Sequence, residues 1–521
     1  MDKKAMTFKE KLALYIDARL PILYVDTTED NQIDSEIHDA AKRKGDRRTD
    51  LEWSQVNGFR NYDTAAVAGS WDLAATLKML IRDKRKEDKH DIPGLTNTII
   101  ILKDAVPFLD KPEIISCLKY IAQQVNLGAK SDEDEGIDCC TIIIIAPFVN
   151  VPKELAGYIT VISPDVMEVT DIKETIQNFV HSQQAAEEVS SDTLDIFAAH
   201  LKGLTETEIF NILKLVWAYR GKMDDKVLPL ILEQKQQIVR KSGILETVRV
   251  RERMEDIGGL EVLKEWLNRK AEIFKEIEKA KRFGVVVPKG VLIVGMPGCG
   301  KSLTAKAASQ AFAMPLLRMD MGRLMGKYVG ESEANMRRAI MLTEASSPCI
   351  LWIDELEKAF AGIGGQGGTE VTTRLFGNFL TWMQEKESLA FVVATANDIT
   401  KLPPELLRKG RFDEIFCVGL PNDAEREKIF QIHIGKAHGK ELSSINIGEL
   451  VQNTQGYCGA DIEGVVHDAI EMAFLDKKMR LETKDVLAAI KNTHSISETM
   501  RDSLEKMKAN HKNRKFKNAS R

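Results

Sequence analysis

Residues 291–302 read Val291-Leu292-Ile293-Val294-Gly295-Met296-Pro297-Gly298-Cys299-Gly300-Lys301-Ser302. The first four are apolar and mostly β-branched, which is typical of a buried parallel strand. The next eight fit the Walker A pattern G-x-x-x-x-G-K-S, and a helix-like stretch rich in alanine follows them. Glycines at this point let backbone N–H groups surround phosphate oxygens at a helix N-terminus. We therefore predict an α/β domain with a phosphate-binding loop.

This loop offers ligands for both ATP and Mg²⁺. Lys301 supplies a point charge for the β- and γ-phosphates, and the Ser302 hydroxyl is a ligand for Mg²⁺. A glycine-rich turn without a ligand is the alternative, which the flanking strand and helix disfavour. We predict nucleotide contacts from the loop and the residue after it: Pro297, Gly298, Cys299, Gly300, Lys301, Ser302 and Leu303.

Two later strands end in residues that suit hydrolysis. The run Ile350-Leu351-Trp352-Ile353 leads to Asp354 and Glu355, a Walker B pattern, and Phe391-Val392-Val393-Ala394-Thr395 is followed by Asn397. Ligands bind at the carboxyl ends of parallel strands. We expect Asp354 to hold Mg²⁺, Glu355 to deprotonate the attacking water, and Asn397 to contact the γ-phosphate. Taken alone, each could be a solvated strand end.

The segment from Glu255 to Ala509 resembles the AAA clade of the AAA+ ATPases along the whole module. Asp256-Ile257-Gly258-Gly259-Leu260, here called the lead-in segment, is similar to the stretch that lies against adenine in that clade. Gly459-Ala460-Asp461 is similar to the second-sensor segment of the helical lid in that clade. The resemblance implies nucleotide contacts from Asp256, Gly258, His433, Gly459 and Ala460, a sensor role for Asn397, and arginine fingers at Arg408 and Arg411.

The two arginines bear on assembly. In the family, such a finger reaches the neighbouring subunit's site, where it offsets charge on the transferred phosphoryl group. The resemblance therefore implies a homo-hexameric ring, since contacts of this head-to-tail kind close into rings. The alternative for Arg408 and Arg411 is a pair of surface charges. For His433 the alternative is packing on an apolar helix face.

Pore loops are the third feature that the resemblance implies. Lys327-Tyr328-Val329-Gly330 is similar to the first pore loop of members that thread polypeptides, and residues 362–368 would form a mobile second loop. The large face of Tyr328 could grip an extended chain without sequence preference, or it could pack on a neighbouring subunit. The pattern H-E-x-x-H is absent from the sequence, which excludes a fused zinc protease of the membrane-protease branch of the family.

The first half of the chain reads as a degenerate copy of the second. Strand-like runs begin at Ile22, Ile99 and Ile142, but the loop after the first contains neither glycine nor lysine. Acids in that loop would repel phosphate. An unrelated α/β domain is the alternative. The single P-loop predicts one ATP per subunit, and the chain as a whole resembles the Ycf-type AAA proteins of cyanobacteria, other bacteria and algal plastids.

The predicted fold class is α/β. A P-loop NTPase module of AAA+ type, with a parallel five-stranded sheet between helices and a helical lid, follows a degenerate AAA-like α/β domain with its own helical segment. The predicted boundaries are 1–165 for the degenerate domain, 166–232 for its lid-like helices, 233–254 for a linker, 255–421 for the large ATPase domain, 422–509 for the lid, and 510–521 for a basic flexible tail.

Composition limits the partners. A formal net charge of −5 gives no sign of a nucleic-acid or anionic-membrane partner for the whole chain. Seven cysteines without metal-ligand spacing favour a reducing compartment, either the cytoplasm or the plastid stroma if the chain is plastid-encoded. Apolar runs are too short for membrane insertion.

Three functions fit the sequence. The leading hypothesis is an ATP-hydrolysing ring that remodels or threads a protein substrate. The second is an ATP-dependent switch or scaffold that assembles a ring and binds a partner or adaptor through its N-terminal domain. The third is a nucleic-acid-dependent ATPase that uses the basic tail.

Overall fold

The chain forms two compact units. A computed structural model describes residues 6–27, 29–42, 49–61, 71–82, 95, 98–127, 140–149, 151–164, 167–183, 189–324, 331–359, 370–438, 445–478, 480–499 and 516–521. One unit comprises Met1–Leu228 with Gly326–Asn335, and the other comprises Pro229–Met325 with Met336–Arg521; two helices that cross these boundaries, Leu228–Lys241 and Glu331–Ala345, are described with the second unit. Tyr328 and the glycine-rich segment 362–368 lie outside the described residues.

The first unit is built on a mostly parallel sheet. Its elements are α1 (Phe8–Asp17), β1 (Ile22–Asp26), α2 (Asp30–Lys42), β2 (Thr49–Ser54), β3 (Gly58–Asn61), α3 (Leu73–Arg82), β4 (Thr98–Leu102), α4 (Pro112–Leu127), β5 (Thr141–Ala146), β6 (Ile159–Ile162), α5 (Val169–Ser182), α6 (Ser191–Leu201) and α7 (Glu206–Arg220). The described strands lie in the order β3-β2-β4-β5-β1-β6, and β3 alone among them pairs antiparallel.

This sheet is buried on both faces. Along β1, Ile22 and Tyr24 face one apolar cluster while Leu23 and Val25 face another. Helices α3 and α4 cover the first face, and α1 and α2 cover the second. A parallel strand that is covered on both sides reads as a continuous apolar run, which explains the isoleucine repeats of β4 and β5.

The second unit contains a larger sheet and a helical lid. Its elements are α8 (Leu228–Lys241), β7 (Leu245–Val248), α9 (Glu261–Lys275), α10 (Ile277–Phe283), β8 (Gly290–Gly295), α11 (Lys301–Phe312), β9 (Leu316–Met319), α12 (Met321–Leu324), α13 (Glu331–Ala345), β10 (Cys349–Ile353), α14 (Leu356–Ala359), α15 (Glu370–Glu385), β11 (Ala390–Ala396), β12 (Glu414–Val418), α16 (Asp423–His438), α17 (Ile447–Gln452), α18 (Gly459–Leu475), α19 (Thr483–Asn492), α20 (Ile496–Thr499) and β13 (Lys517–Asn518). Helices α16 to α19 enclose a separate apolar cluster that includes Phe430 and Ile462.

The predicted fold class is confirmed. The sheet has the order β13-β12-β8-β11-β10-β9-β7, and the expected parallel strands are β12, β8, β11, β10 and β9. Two edge strands were missed: β7 pairs antiparallel with β9, and β13 pairs parallel with β12. No helix among the described residues is long and apolar enough to cross a membrane.

The two sheets share one topology. Read from β6, the first unit has the order β6-β1-β5-β4-β2, which matches β12-β8-β11-β10-β9 strand for strand in chain sequence. An antiparallel strand flanks the same edge in each, β3 beside β2 and β7 beside β9. The first unit is therefore an AAA-like α/β domain, as predicted.

The flexible tail predicted over 510–521 is wrong for residues 516–521. Lys517 and Asn518 form β13, and Ala519 is fully buried. Lys517 pairs with Glu414 and Arg521 with Glu265, so these cations face acids of the same unit. The sequence did not reveal the strand because backbone hydrogen bonds, one buried alanine and polar partners distant in the chain attach it, and these produce no apolar period.

Helix α4 allows a test of the first unit's core. Leu118 is fully buried in its apolar cluster, whereas Leu127 on the same helix is 56% exposed. We expect Leu118→Ala to lower the free energy of unfolding of this unit by about 2–5 kcal/mol, because it removes buried contacts and leaves a cavity. Leu127→Ala should change it by less than about 0.5 kcal/mol. Urea unfolding followed by circular dichroism measures both, and equal effects would contradict the assignment.

Candidate nucleotide-binding site

The loop between β8 and α11 is held against the lid. Gly298 and Gly300 have φ angles of 74° and 84°, in the left-handed region that favours glycine. A Cβ on Gly298 would lie 2.6 Å from Sγ of Cys458, and its carbonyl accepts a hydrogen bond of 3.1 Å from the Ala460 N–H. The lid helix α18 thus touches the loop where only glycine fits.

Lys301 starts α11 and is buried. Its Nζ donates to the carbonyl oxygens of Gly295 at 2.8 Å and Met296 at 2.6 Å. Burial lowers the pKa of Lys301. Burial also raises the pKa of the neighbouring Cys299 thiol to about 12, so that thiol is neutral at physiological pH. The positive charge of the loop is therefore not opposed by a thiolate.

Asp354 follows β10 and joins two hydroxyl groups. Its Oδ1 accepts hydrogen bonds from Oγ of Ser302 at 3.2 Å and Oγ1 of Thr395 at 2.5 Å. Mg²⁺ prefers oxygen ligands and is usually bound through one or two carboxylates together with substrate phosphates. The donor set of Ser302 and Asp354 fits Mg²⁺ beside the phosphate loop.

Glu355 is fixed by groups from two elements. The φ angle of Glu355 is 50°, a left-handed value that is uncommon outside glycine, and its N–H donates to Oγ1 of Thr395 at 3.1 Å. Nδ2 of Asn397 donates to Oε1 of Glu355 at 3.2 Å, and Nζ of Lys358 lies 2.5 Å from Oε2. Glu357, which is buried, accepts the Asn397 N–H at 2.9 Å. The carboxylate of Glu355 and the amide of Asn397 therefore lie side by side.

The lead-in segment packs closely on α16. A Cβ on Gly258 would lie 2.4 Å from Cγ1 of Ile429, so this glycine allows the two backbones to approach. Asp256 accepts the Arg253 N–H, which lowers the pKa of Asp256, and its Oδ1 also pairs with Nζ of Lys436 at 3.1 Å. An ionised Asp256 is thus tied to the lid.

His433 lies in the cleft between the lead-in segment and the lid. It is partly buried, and burial lowers its pKa. Nδ1 lies 3.8 Å from the carboxylate of Glu463. The imidazole is partly buried and also lines the cleft, so its position is compatible both with packing and with contact to a nucleotide.

These residues line one cleft of about 540 Å³, within the usual range for small-molecule sites. Every residue assigned to the nucleotide, the metal ion or the attacking water lines it: Asp256, Gly258, Pro297, Gly298, Cys299, Gly300, Lys301, Ser302, Leu303, Asp354, Glu355, Asn397, His433, Gly459 and Ala460. Arg408 and Arg411 do not line it. Arg408 is exposed, and Arg411 donates to the carbonyl of Glu405.

Residues that were not predicted from the sequence support this cleft. Thr395 and Glu357 position the carboxylates and the Asn397 backbone, while Glu425 and Lys436 hold the lead-in segment. Thr395 was recognisable as a polar residue inside an apolar strand. Glu425 and Lys436 gave no comparable signal, since charged residues are expected on any lid helix.

The corresponding place in the first unit is filled by its own side chains. Glu29, just before α2, accepts the N–H groups of Glu206 at 3.2 Å and Thr207 at 2.8 Å at the start of α7. Lys103 follows β4 as Asp354 follows β10, and it pairs with Asp34. Burial acts to lower the pKa of Lys103, but Asp34 and Glu52 together outweigh burial and the pKa is raised. A cation thus stands where a metal-binding carboxylate would be needed.

The fold and the cleft define a P-loop nucleotide-binding protein of AAA type, and comparison with known sequences agrees. The family described as "ATPase family associated with various cellular activities (AAA)" matches residues 291–420, and the AAA+ lid domain matches residues 444–488. The N-terminal and second domains of SpoVK-like AAA ATPases match residues 8–164 and 170–242.

Individual relatives show how far along the chain the similarity extends. It is 34% identical over 504 residues to the uncharacterized AAA domain-containing protein ycf46 of Pyropia yezoensis, covering 97% of either chain. It is 36% identical over 219 residues to the cell division cycle protein 48 homolog of Archaeoglobus fulgidus, covering 41% of this chain and 30% of the relative. It is 29% identical over 243 residues to the ATP-dependent zinc metalloprotease FTSH 7, chloroplastic, of Arabidopsis thaliana, covering 46% of this chain and 30% of the relative.

The chain therefore belongs to the AAA ATPase family, in the group of ycf46-type AAA domain proteins. The resemblance inferred from the sequence is confirmed. Membership implies binding and hydrolysis of ATP in general terms.

Thr395 provides a test of the site. We expect Thr395→Val to lower kcat by about ten- to hundredfold, because it removes the hydroxyl that orients Asp354 and leaves the Glu355 N–H without its acceptor. Thr395→Ser should keep most activity. Thr343→Val, which removes another buried hydroxyl whose acceptor is the Ala339 carbonyl of its own helix, is the matched control. Steady-state phosphate release measures all three, and equal loss in both valine variants would contradict a positioning role.

Proposed function

We propose that this chain is a Mg²⁺-dependent ATPase that converts ATP and water to ADP and phosphate. The observation that carries the proposal is the juxtaposition at one sheet edge of the Ser302–Asp354 pair with the Glu355–Asn397 pair. The first pair suits a metal ion and the second suits a water molecule in line with a phosphate. The loop bearing Lys301 lies beside both.

In this proposal each residue has one role. Lys301 offsets negative charge on the β- and γ-phosphates, and Ser302 and Asp354 hold Mg²⁺, which neutralises charge on the phosphates when bound. Glu355 accepts the proton of the attacking water, whose oxygen forms the new bond to phosphorus as the bond to ADP breaks. Asn397 orients that water. Asp256, Gly258, His433, Gly459 and Ala460, which also line the cleft, would contact the nucleotide.

The proposed ring is a homo-hexamer in which Arg408 and Arg411 complete the site of the next subunit. Their position outside the cleft supports an action in trans, since neither can stabilise phosphoryl transfer in its own chain from there. An isolated subunit would then hydrolyse ATP slowly.

Glu355→Gln tests the chemistry. The variant should bind ATP with about wild-type affinity and lose hydrolysis by at least about a hundredfold, because the amide cannot accept the proton. Glu385→Gln, on the exposed end of α15, is the control. Normal hydrolysis by the Glu355 variant would show that the base is assigned wrongly.

Mixing variants tests the action in trans. Rings of Arg411→Ala alone and of Glu355→Gln alone should each be inactive. In rings assembled from equal amounts of the two variants, about a quarter of the sites should be active, because each of those sites combines an intact Glu355 with an intact Arg411 from the neighbouring subunit. Absence of recovery in mixed rings would rule out a finger in trans.

The substrate that we propose is polypeptide. The module is similar to one in relatives named as ATP-dependent proteases, while this sequence contains no H-E-x-x-H pattern. We propose ATP-driven movement of a protein without cleavage, with an ATP-dependent switch or scaffold as the alternative. The first unit, with its filled pseudo-site, would dock a substrate or adaptor.

Tyr328→Ala separates threading from a switch or scaffold. If Tyr328 grips substrate, the variant should lose unfolding of a tagged fluorescent protein while keeping basal ATP hydrolysis. Tyr219→Ala, which removes a tyrosine that is 71% exposed on α7, is the control. Undiminished unfolding by Tyr328→Ala would favour the scaffold.

The compartment that we propose is a reducing one, either the cytoplasm or the plastid stroma. Among the described cysteines, Cys117, Cys299, Cys349 and Cys458 are free thiols. Free buried cysteines are usual in such compartments.

A further inference from the structure

Backbone hydrogen bonds attach residues 516–521 to the rest of the second unit. The Ala519 N–H donates to the Cys417 carbonyl at 2.9 Å, which extends the pairing of β13 with β12. Strand β13 lies at one edge of the sheet, beside β12. The next strand after β12 is β8, which leads into the phosphate loop. An edge strand that is partly covered in this way exposes fewer free backbone groups.

The same segment caps helix α9. Leu260, the residue before that helix, has a φ of 59° and no side-chain hydrogen bond to the helix N-terminus. The Ala519 carbonyl instead accepts the N–H groups of Val262 at 3.0 Å and Leu263 at 3.2 Å. Helix N-termini expose N–H groups that need such acceptors. A cap usually comes from the adjoining residue, whereas here it comes from a distant part of the chain.

Ser520 extends this attachment to the cleft. Its Oγ donates to Oε1 of Glu425 at 2.6 Å, and the same oxygen accepts the Leu260 N–H at 3.1 Å. The other oxygen accepts the Asn422 N–H at 3.0 Å. Glu425 is 4% exposed, and a carboxylate so buried depends on such donors.

Glu425 also shapes the lead-in segment. A Cβ on Gly259 would lie 2.4 Å from Oε1 of Glu425, and Gly259 has a φ of 87°. Glu425 and Leu260 both line the nucleotide cleft. One hydrogen-bonded path therefore runs from Ser520 through Glu425 to the wall of the cleft.

We propose that residues 516–521 are a brace that positions the lead-in wall of the ATP cleft, with Ser520 and the Ala519 carbonyl as its positioning groups. The inference rests on the proposed assignment of the cleft to ATP. Neither group touches the nucleotide site directly, so their effect on ATP passes through Glu425 and the first turn of α9.

The test compares the full chain with one that ends at residue 515. Ending there should raise the Kd for a fluorescent ATP analogue with Mg²⁺ by about five- to tenfold, because the cap and the buried hydrogen bond are lost. Amide hydrogen exchange at Val262 and Leu263 should become about tenfold faster. Ser520→Ala, which leaves the strand and cap in place, should raise Kd by about two- to fivefold with little change in exchange.

Two controls make the result specific. Arg521→Ala removes an exposed side chain and should leave both readouts unchanged. The peptide Phe-Lys-Asn-Ala-Ser-Arg, added to the shortened chain, should restore both, whereas the same peptide with proline for alanine should not, since proline lacks the N–H that reaches Cys417.

The outcomes are distinguishable. If the shortened chain binds the analogue within twofold of the full chain and exchange is unchanged, the brace is overturned. If the full chain itself fails to bind the analogue, the proposed function fails, and exchange at Val262 and Leu263 still tests the brace. If the shortened chain does not fold, Ser520→Ala decides, and a Kd equal to wild type would overturn the role of Ser520.

Discussion

Hydrogen bonds to Asp354 link the phosphate loop of the second unit to strand β11. Oδ1 of Asp354 accepts the hydroxyl groups of Ser302, which follows β8, and Thr395, which lies in β11. This is possible because β11 lies between β8 and β10, so the carboxyl ends of three parallel strands meet at one edge. The Glu355 N–H bonds to the same Thr395 hydroxyl. Strand order therefore sets the distance between the phosphate loop and the carboxylates.

The first unit has the same strand order but different residues at the carboxyl ends of its strands. Asp104 and Glu355 each lie two residues after a corresponding strand, and their φ angles are 53° and 50°. The backbone turn is thus retained, yet Lys103 replaces the carboxylate that would hold a metal ion. Glu29 and Asp34 then occupy the region with internal ion pairs and hydrogen bonds. These internal contacts stabilise the first unit itself.

Contacts from the lid complete the active cleft. Ala460 bonds to the carbonyl of Gly298, and Lys436 pairs with Asp256. Glu425 bonds to the lead-in segment and to Ser520. Movement of the lid would thus alter the phosphate loop, the lead-in wall and the segment 516–521 together, because each is linked to the lid by hydrogen bonds or ion pairs.

The sequence by itself determined the α/β class, the phosphate loop, the carboxylates after β10 and the degenerate first half. Each of these is encoded locally, as an apolar run followed by residues whose chemistry is specific. Only the tertiary structure decided the roles of Thr395, Glu425 and Ala519, and it corrected the prediction of a flexible tail for residues 516–521. Those groups act through partners far away in the chain, often through the backbone. A backbone carbonyl that caps a distant helix leaves no pattern in the letters of the sequence.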